Sequence, residues 1–133
     1  MAAFDQHIVE AVNRPGKIGV LATSDIKGQP NLAYFGSARV LPEGDFLLAL
    51  GDNRTLANLE QNPNAVFMVL MESPVTFKTP GWRLYLKVRM IQRHGEALES
   101  IRKVIADKAG PKFAEAMKAS VLFDITEIRP LID

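Results

Sequence analysis

The residues with the most chemical promise stand together in Ala49-Leu50-Gly51-Asp52-Asn53-Arg54-Thr55-Leu56. A strand ends there, glycine turns the chain, and a helix begins with a cation and a hydroxyl in its first turn. The unpaired N–H groups and positive dipole end of a helix suit an anion. Arg54 adds a planar fork that matches phosphate oxygens, and Thr55 a short donor. An arginine this early opposes the dipole, so an anionic partner would account for it. A capped surface helix with an ordinary exposed arginine fits the same residues. Upstream, Ser37 and Arg39 lie two apart in a predicted strand and share a face, from which they could reach the same phosphate as Arg54. Gly36 beside them removes a side chain and admits a flat ligand; a bulge on a solvated strand is the plainer reading. The row Arg83, Tyr85, Lys87 and Arg89 is either an anion-docking surface or the wet side of a half-buried strand. Trp82 either stacks on an aromatic ligand or packs in the core.

Other chemistry is thinly supplied. The sequence has no cysteine, which excludes disulfides, thiolate catalysis, iron–sulfur clusters and cysteine-ligated zinc. His7 and His94 are the two histidines, too few for a histidine metal site, and the 15 acidic residues are scattered without a paired-carboxylate motif. Gly16 and Gly19 lack the third glycine and following helix of a nucleotide-binding loop. Sixteen Lys and Arg against 15 acids leave a net charge of +1, which argues against nucleic acid as a partner. No apolar run approaches the ~18 residues of a membrane span. Residues 1–10 carry acids and no signal pattern, so a cytoplasmic location is expected. Any reaction here is expected to belong to a bound cofactor.

The elements that must position these residues follow from periodicity. With 133 residues, 47% hydrophobic and 23% charged, the chain reads as a single globular domain over residues 1–133. Residues 3–13 predict an amphipathic helix bearing Phe4, Ile8, Val9 and Val12, stopped by Arg14-Pro15-Gly16. Strands are expected at residues 17–23, 31–41 and 46–50, joined by turns at 25–28 and 42–45 into an antiparallel meander. Residues 54–61 predict a helix capped by Asp52 or Asn53 and ended by Asn62-Pro63. The continuous apolar run 65–71 reads as a strand buried on both faces. After a proline-containing loop at 73–81, residues 82–93 alternate, with Trp82, Leu84, Leu86, Val88 and Met90 on one face. Helices follow at 96–108 and after Pro111, the second carrying Phe113 and Met117, and residues 121–128 close the chain as a strand. About six mostly antiparallel strands with short helices favour a small barrel, because closure removes exposed edges.

The run from Gly44 to Ala65, with its strand, short loop, Arg54-Thr55, Asn58-Leu59 pair, Asn62-Pro63 and apolar strand, resembles the pyridoxamine 5'-phosphate oxidase-like family. The strands at Pro30-Asn31-Leu32-Ala33 and Lys17-Ile18-Gly19-Val20-Leu21-Ala22-Thr23 fit as well. The resemblance implies an FMN-binding split β-barrel, mainly β with short helices, and a homodimer with the cofactor at the subunit interface. It implies a phosphate held by Arg54 and Thr55, and further contacts from Phe35, Gly36, Ser37 and Ala38, with Arg39 as an addition. The isoalloxazine ring would lie against Leu48 and Ala49 and be covered by the partner, with Trp82 a candidate for the cover. The fully apolar strand 65–71 would supply a two-fold interface. Family members that oxidise pyridoxamine phosphate carry a further C-terminal segment with tryptophan and arginine, absent here, so that reaction is not expected. Small members often have glycine where this chain has Lys87, whose side chain would contact the flavin or fill its place. The expected role is oxidation–reduction or electron transfer on FMN. The alternatives are a deazaflavin-dependent reductase or a non-catalytic flavin- or haem-binding module.

Overall fold

The computed structural model describes residues 6–70 and 76–132. In chain order the elements are α1 (Gln6–Asn13), β1 (Ile18–Ser24), β2 (Pro30–Tyr34), β3 (Arg39–Val40), β4 (Phe46–Leu50) and α2 (Arg54–Gln61). β5 (Asn64–Leu70), β6 (Gly81–Gln92), α3 (Glu96–Ala109), α4 (Pro111–Glu115) and β7 (Ala119–Pro130) follow. The strands form one antiparallel sheet of seven in the order β2-β1-β5-β6-β7-β4-β3. Its two edge strands, β2 and β3, are consecutive in sequence, so residues 35–38 carry the chain from one edge of the curled sheet to the other. The result is a barrel with a split along that crossing. Phe4 and Met71 of the predicted elements, and part of the loop at 73–81, lie outside the described residues.

The core fills the curl. Phe46 from β4 meets Phe67 from β5 at 5.0 Å and Phe123 from β7 at 5.7 Å, edge to face in the second case. In β1 the inward positions are Gly19, Leu21 and Thr23, one residue in two. Gly19 is required by packing, because a Cβ there would collide with the Phe67 ring. Ile8, Ala11 and Val12 of α1 and Leu56 and Leu59 of α2 join the same core. A second, smaller cluster lies outside the sheet, where Leu98 and Ile101 of α3 pack on Leu47 and Ala49 of β4.

Several expectations are corrected. The strand predicted at 31–41 is two strands, because the chain leaves β1 after Phe35 donates its N–H to Gly19 at 2.9 Å and must cross the split before pairing with β4. The three-strand meander therefore becomes two hairpins at opposite ends of the sheet, and the strand count rises from about six to seven. Ser37 thus shares no strand face with Arg39. β5 is not buried on both faces; its burial alternates, with Ala65, Phe67 and Val69 inward and Val66, Met68 and Leu70 outward. β6 alternates as predicted until a bulge at Arg89, where Val88 opposes Phe123 and Met90 opposes Leu122. The inserted residue reverses the parity, so Met90 is exposed and Ile91 packs toward the core instead. Phe113 is exposed on α4, and Met117 lies beyond that helix, packing on the outer cluster.

Candidate functional site

The end of β4 is where the split, the crossing and α2 converge. β4 pairs over five residues with β7, Phe46 to Leu50, but over only two with β3. Past Leu47, β4 is laddered to β7 alone; Leu48 and Leu50 turn their backbone groups to β7, and Ala49 turns its own to the edge that faces the crossing. Their side chains are committed to protein: Leu48 lies in the main core and Ala49 under α3. A ligand in the split can meet this strand end only through its backbone.

Gly51 then turns the chain against Ala116, whose carbonyl would stand 2.9 Å from any Cβ added there. Asn53 caps α2 by accepting from the Leu56 N–H at 2.9 Å, and its carbonyl accepts from Ala57 at 3.1 Å. The N–H groups of Arg54 and Thr55 precede the first helical bond and point out of the helix end. Thr55 is buried, and its hydroxyl accepts from Asn31 Nδ2 at 3.4 Å, which ties the start of α2 to β2. Asn58 donates to the Thr23 hydroxyl at 3.1 Å and fixes the same helix on β1. Arg54 is exposed and makes no ion pair among the described residues. The nearby Asp52 is engaged by Arg93, which also reaches Glu60 at the far end of α2. Hydrogen bonds to Glu60 and then Asp52 raise the Arg93 pKa above its usual value. Arg93 thus divides its single positive charge between Asp52 and Glu60.

The predicted residues fall into three groups. Arg54 and Thr55 sit at the α2 start; Leu48 and Ala49 lead into it; Phe35, Gly36, Ser37 and Ala38 form the crossing. Ala38 is fully buried, while Gly36 is open: a Cβ added there would have nothing nearer than the Tyr34 hydroxyl at 3.4 Å. Arg39 lies beyond the crossing, exposed at the start of β3. Trp82 is opposite Val69 on the inner side of β6 and packs against the main core. Of the basic row, Arg89 is held by Asp45 and Asp124, Arg83 donates to the Pro130 carbonyl at 2.9 Å, and Lys87 is exposed opposite Asn64.

Lys17 was not singled out by the sequence and is 4% exposed. Its Nζ donates to the Gly36 carbonyl at 2.8 Å and pins the crossing. Burial, with the positive charges of Arg39 and Lys108, lowers its pKa to about 8. The signal was parity: Lys17 continues the inward series Gly19, Leu21, Thr23. Asn31 and Arg93 were likewise missed as positioning residues, because their partners are distant in sequence.

The sequence profile of the pyridoxamine 5'-phosphate oxidase family matches residues 4–131. The chain belongs to this family. Its fold is shared with an FMN-binding protein from Syntrophomonas wolfei at a TM-score of 0.83 and 24% identity, over 95% of this chain and 84% of that one. The haem storage protein HutZ from Vibrio cholerae aligns at 0.65 and 20% identity, over 96% and 94%. An F420 reductase aligns at 0.70 and 15%, over 97% and 98%. At these identities the likeness is one of fold. No curated protein matches. Within the family's split barrel, the open end of β4 and the start of α2 belong to the segment from Gly44 to Ala65 that carries the sequence resemblance.

Proposed function

We propose that this chain is a flavin-binding protein of the pyridoxamine 5'-phosphate oxidase family, with FMN held in the split of a homodimer. The observation that carries this reading is the meeting of an open strand edge with a carboxylate-free arginine at a helix start. The donor set suits a phosphate monoester: the Arg54 fork, the N–H groups of Arg54 and Thr55, and the Thr55 hydroxyl. The ion pair with Arg93 weakens the repulsion that Asp52 exerts on an anion there. The ring would lie along Phe35, Gly36, Ser37 and Ala38 and against Leu48 and Ala49, where the backbone of Ala49 faces the open edge. Bound flavin accepts and donates electrons; the protein grips the phosphate, orients the ring and tunes it through backbone dipoles. The fold shared with an FMN-binding protein supports the same choice of cofactor for this chain. Arg39 and Trp82 are not needed for this arrangement.

The outer face of the sheet supports the dimer. Ile18, Val20 and Ala22 of β1 stand opposite Leu70, Met68 and Val66 of β5, and Tyr34 and Leu32 of β2 extend the row. Leu32 is 67% and Tyr34 61% exposed, and none of this face belongs to either core cluster. The six residues of β1 and β5 are half-buried in one copy, and a second copy would complete the burial of the row.

A deazaflavin also carries phosphate and fits the same donors, as the F420 reductase fold likeness allows. The visible absorption spectrum of the purified protein, before and after titration with FMN, separates flavin, deazaflavin and haem by band position. Arg54→Ala is expected to weaken FMN binding by about 1.5–3 kcal/mol, the usual loss of a charge-assisted hydrogen bond. Colourless protein that takes up no FMN, or an Arg54→Ala variant that binds as tightly as the parent, removes this reading. Turnover with NAD(P)H and a dye acceptor then separates a catalyst from a carrier.

A further inference from the structure

A cavity of about 410 Å³ lies between the end of α1, the crossing and α3. Its apolar walls come from Leu41, Leu47, Ile101, Val104 and Ile105, and its polar side carries Lys17, Arg39 and Lys108, with Arg14 and no carboxylate. That charge distribution is unusual in a chain of net charge +1. Arg89, Arg93 and Arg102 all sit against carboxylates. Lys17, Arg39 and Lys108 have none among the described residues. Three cations gathered unpaired around an apolar cavity repel one another, and an anion between them removes the repulsion. The volume is that of a small-molecule site, and an apolar enclosure with a few convergent polar groups is how such sites are built.

We propose that this cavity binds a small organic anion, an acidic head on an apolar body, with the head drawn to Lys17, Arg39 and Lys108. The cavity shares residues 36–38 with the proposed flavin cleft as a wall, and its lining includes none of Leu48, Ala49, Arg54 and Thr55. Lys17 is faced by Arg39 from β3, Lys108 from α3 and the Gly36 carbonyl. An anion beside it favours its charged form, so binding above pH 8 takes up a proton and weakens as the pH rises.

The test uses octanoate and its neutral counterpart octanol, titrated calorimetrically into the whole protein at pH 7 and pH 9. Octanoate is expected to bind about ten-fold or more tightly than octanol, the scale of one ion pair in an enclosed site. It should bind less tightly at pH 9, with proton uptake seen as a heat that depends on the buffer. Lys17→Met and the exposed-site variant Lys108→Gln should each weaken octanoate and leave octanol unchanged; Lys108→Gln keeps the test valid should Lys17→Met fold poorly. Arg54→Ala should leave octanoate affinity unchanged, which separates this site from the proposed phosphate cradle. Equal affinity for octanoate and octanol, undiminished binding by Lys108→Gln, no saturable binding, or competitive displacement of FMN by octanoate would each overturn the proposal.

Discussion

Lys17 carries its charge against burial and against two neighbouring cations, and this shapes the stability of the fold. With a folded pKa of about 8 against 10.5, the folded chain gives up the proton first. Below pH 8 Lys17 is charged in both states and the burial penalty is fully present. Between about pH 8 and 10.5 the unfolded chain binds more protons, so stability rises with pH and the penalty fades. From pH 7.5 to 9.5 the parent is expected to gain roughly 1–2 kcal/mol relative to Lys17→Met, which cannot titrate. Urea unfolding of both proteins at the two pH values measures it; parallel pH profiles would show that Lys17 has no such penalty. The Gly36 bond explains why the fold tolerates the residue, since it fixes a crossing with no strand partner of its own. Parity made Lys17 legible as an inward residue, but a lysine reads as surface on composition. Arg54 and Thr55 were legible from spacing alone, whereas the partners of Thr55 and Asp52 were not, because Asn31 and Arg93 reach them across the sheet.

At the scale of elements, the shortest strand depends on the first helix. β3 has two residues, too few to hold its place by ladder bonds alone. Asn13, at the end of α1, supplies the rest: its side chain donates to the Val40 carbonyl at 3.0 Å and accepts from the Val40 N–H at 2.8 Å. One side-chain amide thus imitates a neighbouring strand, and Val40 is buried, so its backbone groups have no water to fall back on. Asn13→Ala is expected to cost about 1–3 kcal/mol and to speed hydrogen exchange at the Val40 N–H. Native-like protection at Val40 in that variant would contradict this role. Local signals carried most elements: α2 matches its predicted span residue for residue, and the turn at Asp25 is an aspartate accepting from the N–H groups of Lys27 and Gln29. They failed where a long-range constraint decides. Residues 35–38 carry one local mark, Gly36, and it reads equally as a bulge within a continuous strand. The bulge at Arg89 is silent, since it is set by the register of β7 and by the carboxylates of Asp45 and Asp124.

For the whole molecule, the question is what covers the outer face of β1, β2 and β5. α3 covers the outer face of β4 and β7, and α1 and α2 fill the barrel, so no described helix lies on the remaining face. The run 65–71 reads as buried on both faces in sequence and as half-buried in one copy of the chain, and a second copy reconciles the two. Met68 stands opposite both Val20 and Arg83, near the middle of that face. Met68→Asp places a charge where the partner's apolar surface would desolvate it, a substitution that costs an interface several kcal/mol. Because the Met68 side chain points away from its own core, the variant should keep the parent's circular dichroism while sedimenting as a 14.7 kDa species at low micromolar concentration. FMN affinity should fall with it by about ten-fold or more, since a ring shared between two copies loses half its cover when they part. A parent that already sediments as a monomer, or a monomeric Met68→Asp that binds FMN undiminished, would place the whole flavin site within one chain. The first outcome leaves the apolar face unexplained, and the second moves the ring off the interface and deeper into the split, against residues 35–38 and the open edge of β4.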